Sequence, residues 1–387
     1  MEVPMKITAI KTWLTAPTGV YLKIMTDEGV CGFGEATIPY FPQSALGMLK
    51  DLEGYLIGED PFRIEYLWQS LFRDLFMRGG PTHMAAISCV DMALYDLKGK
   101  ALGLPVYELL GGLARDKVRL YGHVAAKTAS EIAKKAGALA ATGCTMIRFR
   151  AFHDMDARRE FDFAAGVAQQ LEYLAAIREA VGDGTDLILE CHGRYDLPWA
   201  VKLAQEAVKY NIFFLEDPLR QENPAMMKAL RAQTPVPIAT GERCHSRWDF
   251  RELFESNSID YARPDVCHCG GITEMMKIAS YAQTYGISVV PHNTQGPLAM
   301  AAIMHASFAI DNLAVVEAAF CNPESYDARK EKLVDGWPAY QAGYSLPPKG
   351  PGLGVTVYED ALDAAQAGFR PPKQPRLRAY DGSVRDW

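Results

Sequence analysis

A run of polar residues at the ends of short apolar segments restricts the fold of this chain more than any other feature. Glu190, Glu216, Glu242, Asp265, His292 and Glu317 follow one another at steps of 26, 26, 23, 27 and 25 residues. One strand, one helix and two short loops fill such a step. Leu187-Ile188-Leu189 precedes Glu190 and Phe213-Phe214-Leu215 precedes Glu216, while residues 237–241, 287–291 and 313–316 lead into Glu242, His292 and Glu317. Between them, residues 197–210, 246–254 and 273–285 are amphipathic and of helical length. Such alternation predicts parallel βαβ units. Upstream, residues 118–121 and 145–150 add two more strands, with helices expected over 129–141 and 161–181. The prediction is an α/β chain built on an eight-stranded (β/α)₈ barrel, whose functional groups sit at the C-terminal ends of its strands.

A barrel of this kind takes roughly 250 residues, so a chain of 387 has room for a second unit. Residues 1–117 are expected to form an α+β domain. Strands at 7–13, 21–26 and 31–35 alternate like an antiparallel sheet turned at Asp27-Glu28-Gly29, and helices follow at 45–57, 61–76 and 85–101. The barrel is expected over 118–325. Residues 326–387, with Gly352-Leu353-Gly354-Val355 and Pro371, Pro372 and Pro375, have no barrel role and are expected to return to the N-terminal unit. A hydrophobic content of 49% supports a large core. No apolar run approaches the roughly 20 residues that cross a bilayer, and residues 1–20 do not read as a signal peptide. The net charge of −7 argues against a nucleic-acid surface. Eight scattered cysteines read as reduced thiols of a cytoplasmic protein. Cys267 and Cys269 flank His268, but no second close pair completes a zinc tetrahedron.

The strand-end residues suggest a chemistry. Glu190, Glu216 and Glu242 on neighbouring strands offer oxygen ligands to a hard divalent cation. Solvated or salt-bridged carboxylates are the plain alternative, and three in register weigh against it. His292 is a candidate general base, and Asp265 on the preceding strand can fix its tautomer. His192 lies two residues after Glu190 and so, by strand alternation, on the same face. Glu317 ends the eighth strand. In Arg148-Phe149-Arg150 neither guanidinium can serve as an ordinary base; either can clamp a carboxylate, and regular alternation would turn one of them outward. Arg78, His123, His245 and Arg194 are the remaining candidates for substrate contact at the rim, below the short loop 15–19.

The residues also resemble a known family. The segments are Thr26-Asp27-Glu28-Gly29-Val30 with Gly32-Phe33-Gly34-Glu35, Arg78-Gly79-Gly80-Pro81, Asp91 through Lys100, His192-Gly193-Arg194, Thr240-Gly241-Glu242-Arg243, Ser246 through Phe250, and Gly270-Gly271-Ile272-Thr273-Glu274. Together they resemble the enolase superfamily, and within it the acid-sugar dehydratases of the mandelate racemase subgroup, the galactonate dehydratases in particular. The resemblance runs nearly end to end. It implies an N-terminal capping domain over the barrel mouth and Mg²⁺ on Glu190, Glu216 and Glu242. The family usually carries Asp where this chain has Glu190. It also implies that the metal stabilises an enediolate, that a His292–Asp265 dyad takes the α-proton, and that His192 protonates a departing hydroxyl. Many members have Lys-x-Lys on strand two, the second lysine being a base. Arg148 and Arg150 disfavour a two-base racemase. Galactonate dehydratases carry Lys then Asn there; mannonate dehydratases carry Arg with a loop Tyr, and residues 151–170 contain no Tyr. The expected activity is dehydration of an aldonate to a 2-keto-3-deoxy acid, by a homo-oligomer with no nucleic-acid or membrane partner. A cycloisomerase, a one-base epimerase and a catalytically silent scaffold remain as alternatives.

Overall fold

The computed structural model describes residues 5–15, 19–150, 161–294, 296–318, 333–336, 338–371, 373–374 and 376–386. Three antiparallel strands open the chain: β1 (Ile7–Thr15), β2 (Gly19–Thr26) and β3 (Cys31–Thr37). The centre of the loop expected over 15–19 and both Pro372 and Pro375 lie outside the described residues. Helices α1 (Pro42–Leu52), α2 (Ile64–Arg73), α3 (Gly80–Leu102) and the short α4 (Val106–Leu109) complete the capping domain. α3 begins five residues before its expected start, because Pro81 suits a first helical turn. It ends at Gly103, which takes the left-handed conformation at φ 68°. β3 lies directly against α3. A Cβ on Gly34 would come within 1.9 Å of the Cys89 carbonyl oxygen, and one on Gly32 within 2.0 Å of that of Ala93.

The barrel then runs as β4 (Val118–Val124), α5 (Ala129–Ala141), β5 (Met146–Phe149), α6 (Phe163–Val181), β6 (Asp186–Glu190), α7 (Leu197–Ala207) and β7 (Phe214–Glu216). It continues through α8 (Pro224–Arg231), β8 (Ile238–Thr240), α9 (Arg247–Glu255), β9 (Tyr261–Ala262), α10 (Gly271–Gln283), β10 (Ser288–Val289), α11 (Pro297–Ala309) and β11 (Val316–Glu317). Neighbouring strands from β4 to β10 pair in parallel, and β11 pairs in parallel with β4 to close the ring. The last strands are short where proline, which has no N–H to give, follows the paired residues: Pro264 after β9 and Pro291 after β10. Side-chain caps fix helix starts: Thr128 accepts from the Glu131 N–H and Asp162 from that of Ala165. One interior layer is Tyr121, Met146, Ile188, Phe214, Ala239, Val290 and Val315. Two residues further along their strands, Arg148, Glu190 and Glu216 face the same interior.

Carboxylates of the capping domain hold the two units together. Asp91 accepts from the Thr273 N–H at 3.0 Å, at the start of α10. Glu35 accepts from the N–H groups of Gly296, Leu298 and Ala299, at the start of α11. Asp96 accepts from the N–H groups of Phe33 and Leu353, both at 2.9 Å. Burial pushes Glu35 and Asp91 up to about 7, the N–H donors notwithstanding. Beyond the barrel lie β12 (Val334–Asp335), β13 (Tyr340–Gln341), β14 (Tyr344–Ser345), β15 (Thr356–Val357) and α12 (Glu359–Ala367). β14 pairs antiparallel with β4, and α12 rests on β1 through Trp13–Asp363 and Leu14–Gln366 hydrogen bonds. The final segment therefore touches both units.

Candidate active site

The C-terminal mouth of the barrel holds a cavity of about 630 Å³, lined by His123, Arg148, Arg150, His192, Glu242, Arg243, His245, His268 and His292, with Ile38, Pro39 and Pro81 of the capping domain. Among its charged lining groups three guanidiniums face one carboxylate, an arrangement that favours an anionic ligand. β5 ends at Phe149, so strand alternation no longer applies to Arg150 and both arginines reach the cavity. His192 arrives by a different route from the one expected. β6 ends at Glu190, and His192 sits at φ 56° in the left-handed region, so a turn aims its ring, not the pleat.

Beneath the cavity lies a buried ionic cluster. Glu190 and Glu216 are register partners on β6 and β7. Arg148 bridges them, bonding Glu190 Oε2 and lying 3.4 Å from Glu216 Oε2. The Glu190 Oε1 accepts the His192 N–H. Arg263, completely buried, places one nitrogen 2.7 Å from Glu216 Oε1 and 2.6 Å from Glu317 Oε2, and another 2.7 Å from the Tyr121 hydroxyl. His123 Nε2 lies 2.7 Å from Glu317 Oε1. Burial works to raise Glu190, but Arg148, His192 and Arg263, with the Glu216 hydrogen bond, together outweigh it and hold that carboxyl down at about 2. Burial pushes Glu216 well up, with repulsion from Glu190 adding to it. Arg263 was not foreseen as part of this cluster.

At the mouth, His292 Nδ1 lies 2.6 Å from Asp265 Oδ2, and its Nε2 lies 3.2 Å from Glu242 Oε2. Asp265 Oδ1 accepts the Cys267 N–H at 2.7 Å, which orients the carboxylate. Burial lowers the His292 pKa, but Glu242, Glu317 and Asp265 outweigh it and raise the ring to about 10. His192 moves the other way. Burial pushes it down to about 4; Glu190 opposes this, and Arg150, Arg148 and Arg194 add to it.

Not every candidate reaches the cavity. Arg194 is 2% exposed, with its guanidinium over the Phe161 ring, so it is packed beneath the loop and not displayed at the rim. Arg78 lines a neighbouring hollow with Phe72 and Trp248. Glu242 stands three residues beyond Ala239, the register partner of Glu216, and so lies higher in the barrel than Glu190 and Glu216. The carboxylates whose oxygens come within 4.8 Å of one another are Glu190, Glu216 and Asp217, and this triad has the oxygen donors to hold a metal ion. Asp217 was also missed. Its place directly after a strand-end glutamate was the only available signal.

A cation fits this donor set. Asp217 Oδ2 is buried with no hydrogen-bond partner among the described residues. Burial, then Glu242 and Glu190, push Asp217 up to about 7. Arg148 and Arg263 are shared among Glu190, Glu216 and Glu317, and neither forms an ion pair with Asp217 or Glu242 among the described residues. The cysteine pair offers no competing site. Burial raises the thiols of Cys267 and Cys269, and their sulfurs donate to the carbonyls of Glu35 and Gly271.

Residues 1–111 match the family model of the mandelate racemase / muconate lactonizing enzyme N-terminal domain, and residues 131–361 that of the enolase C-terminal domain-like family. The chain belongs to the enolase superfamily. It is 38% identical to a D-galactonate dehydratase of Ralstonia pickettii (strain 12J), with 99% of this chain and 100% of that protein aligned. To the D-galactonate dehydratase of Pectobacterium atrosepticum the identity is 37%, over the same shares. An enolase from Pantoea ananatis, solved with bound D-gluconate and Mg, superposes with a TM-score of 0.88 at 32% identity, covering 98% of this chain and 99% of its own. No helix among the described residues is long and apolar enough to cross a membrane.

Proposed function

We propose that this superfamily member is a Mg²⁺-dependent dehydratase of a sugar acid, an aldonate such as D-galactonate, forming a 2-keto-3-deoxy acid. The observation that carries the reading is the placing of His292, backed by Asp265, and His192 on one cavity above a carboxylate cluster. The names of the full-length relatives and the gluconate held by the Pantoea enolase support the substrate class. Glu190, Glu216 and Glu242 would hold the ion, with Asp217 beside them. When bound, it supplies Lewis-acid stabilisation of the enediolate.

Arg148 and Arg150 attract and orient the substrate carboxylate. His292 takes the α-proton on Nε2, and Asp265 holds Nδ1 and steadies the resulting imidazolium. Glu242 is the charge that most raises His292, so engaging Glu242 elsewhere frees Nε2 to accept. His192 gives its proton to the leaving hydroxyl. Unliganded, its ring is neutral at pH 7, so the substrate's negative charge among the arginines must first restore that proton. Two separate histidines are needed because the α-proton and the leaving oxygen sit on different carbons. His123 and Arg263 keep Glu317 ionised beside the reacting centre.

The test is a screen of aldonates and aldarates with Mg²⁺, read as 2-keto product and as α-deuterium uptake in D₂O. Loss of water with a keto group is the expected outcome. In His292→Asn, product and exchange should both vanish, whereas His192→Asn should lose product and keep exchange. An epimer with unchanged mass, or a lactone without a keto group, would refute dehydration.

A further inference from the structure

We propose that Glu35, a capping-domain residue outside the cavity, is a positioning residue that sets the geometry of the His292–Asp265 pair. The proposal rests on the reading of His292 as the base. Glu35 is on β3 and only 1% exposed. Its Oε1 accepts from the Gly296 N–H at 2.8 Å, and its Oε2 from those of Leu298 and Ala299 at 3.1 and 3.2 Å. These are the unsatisfied donors at the start of α11, and a negative charge is favoured there. Gly296 lies four residues beyond His292, so the carboxylate anchors the far end of the base's own loop.

The same residue grips the loop of the partner acid. Its carbonyl oxygen accepts the Cys267 thiol at 3.6 Å, and the Cys267 N–H in turn holds Asp265 Oδ1 at 2.7 Å. Two residues along β3, the carbonyl of Thr37 accepts from His268 Nε2 at 2.8 Å, while His268 Nδ1 stands 3.7 Å from Asp265 Oδ2. β3 thus contacts the loops after β9 and β10 together, and those loops carry Asp265 and His292. β9 and β10 pair through only two residues each, with one further bridge at Asp265 and His292 themselves. So short a ladder leaves much of the alignment of acid and base to contacts from above, and Glu35 supplies them to both loops. The fit is tight: a Cβ on Gly296 would come within 2.3 Å of Glu35 Oε1. An Ala there would push the two apart at a backbone angle, φ −83°, that any residue adopts.

Glu35→Gln keeps the side-chain volume but turns an amide N–H toward the α11 donors. Gly296→Ala disturbs the same contact from the barrel side. Both are assayed with Mg²⁺ and D-galactonate, well below their melting temperatures. In each, kcat and α-deuterium exchange should fall together by about ten- to a hundred-fold, the loss that displacement of a reacting group by about 1 Å brings. KM should stay within about two-fold. Glu35→Ala with Gly296→Ala should be no slower than Glu35→Ala alone, since the methyl enters space the carboxylate has left. Wild-type kcat and exchange in Gly296→Ala, a KM effect with kcat intact, or losses that multiply in the double variant would each overturn the proposal. Gly296→Ala decides the matter if Glu35→Gln does not fold. If His292→Asn abolishes exchange and the Glu35 and Gly296 variants leave it intact, only this proposal fails. If His292→Asn exchanges normally, the base assignment fails and takes the proposal with it.

Discussion

Replacing Arg263 by Met should destabilise the barrel more than almost any other single change. Arg263 and its partners Glu216 and Glu317 are all fully buried, and one guanidinium nitrogen serves both carboxylates. Met fills much of the volume but gives nothing to either charge. Breaking a buried pair by removing one partner costs about 3–5 kcal/mol, because an uncompensated charge stays behind. Here Glu317 is stranded as a charge and Glu216, which burial already pushes well up, loses the nearer of its two guanidiniums, while His123 and Arg148 compensate only in part. At roughly 2 °C per kcal/mol for a chain of this length, the melting temperature should drop by about 6–10 °C. Differential scanning fluorimetry measures it directly. Adding Glu317→Gln to Arg263→Met should return part of the loss, with a coupling of about 1–3 kcal/mol, because one stranded charge is then gone. A melting temperature equal to that of the wild type would refute the argument. So would a double variant whose loss is the sum of the two single losses.

Gly34→Ala should weaken the capping domain, because its methyl would meet the Cys89 carbonyl oxygen; a fall in stability of about 1–3 kcal/mol or more is expected by thermal melting. For Asp91, the folded-state pKa of about 7 lies above its ordinary 3.8, so the stability tied to its protonated form is complete below about 3.8 and lost as pH rises through 7. The melting temperature of Asp91→Asn relative to the wild type should therefore rise between pH 4 and 7 and level off above, and a difference independent of pH would contradict the assignment. The third metal carboxylate is decided by calorimetric titration with Mg²⁺. Glu242→Gln should weaken binding at least about ten-fold and Asp217→Asn far less, whereas the reverse order would make Asp217 the ligand.

The barrel was legible because its signal is local and repeated: an apolar run, a polar residue at its end, a helix, then the same again. That pattern located Glu190, Glu216 and Glu317, the last residues of β6, β7 and β11, and Asp265 and His292, three residues past β9 and β10 respectively. It carried no information about height. Glu242 follows its strand as closely as the others do, yet Gly241, at φ 132°, turns the chain and lifts it toward the mouth. The condition for turning one arginine outward, regular strand through both, is not met, because β5 stops one residue before Arg150. Arg263 was invisible for another reason. It sits between Asp260 and Asp265 in sequence and pairs with neither; only ring closure brings its partners Glu216 and Glu317 to it from either side. The seam residues Glu35 and Asp91 stand in segments that resemble the family, but their sequence neighbourhood shows no role for them, since their partners are backbone N–H groups more than 180 residues away.

The helix that rests on β1 has a bearing on how the chain is made. β1 is the edge of its three-stranded sheet, pairing with β2 on one side. Its Lys11 and Trp13 find Asp363, and Leu14 finds Gln366, some 350 residues later. A ribosome releases β1 some 350 residues before α12. At roughly 5–20 residues per second, tens of seconds separate the two. Throughout that interval β1 waits without α12 on its edge, and an unpaired strand edge is where another chain can attach. β1 is therefore finished only after the whole barrel, which lies between it and α12 in the chain, has been made.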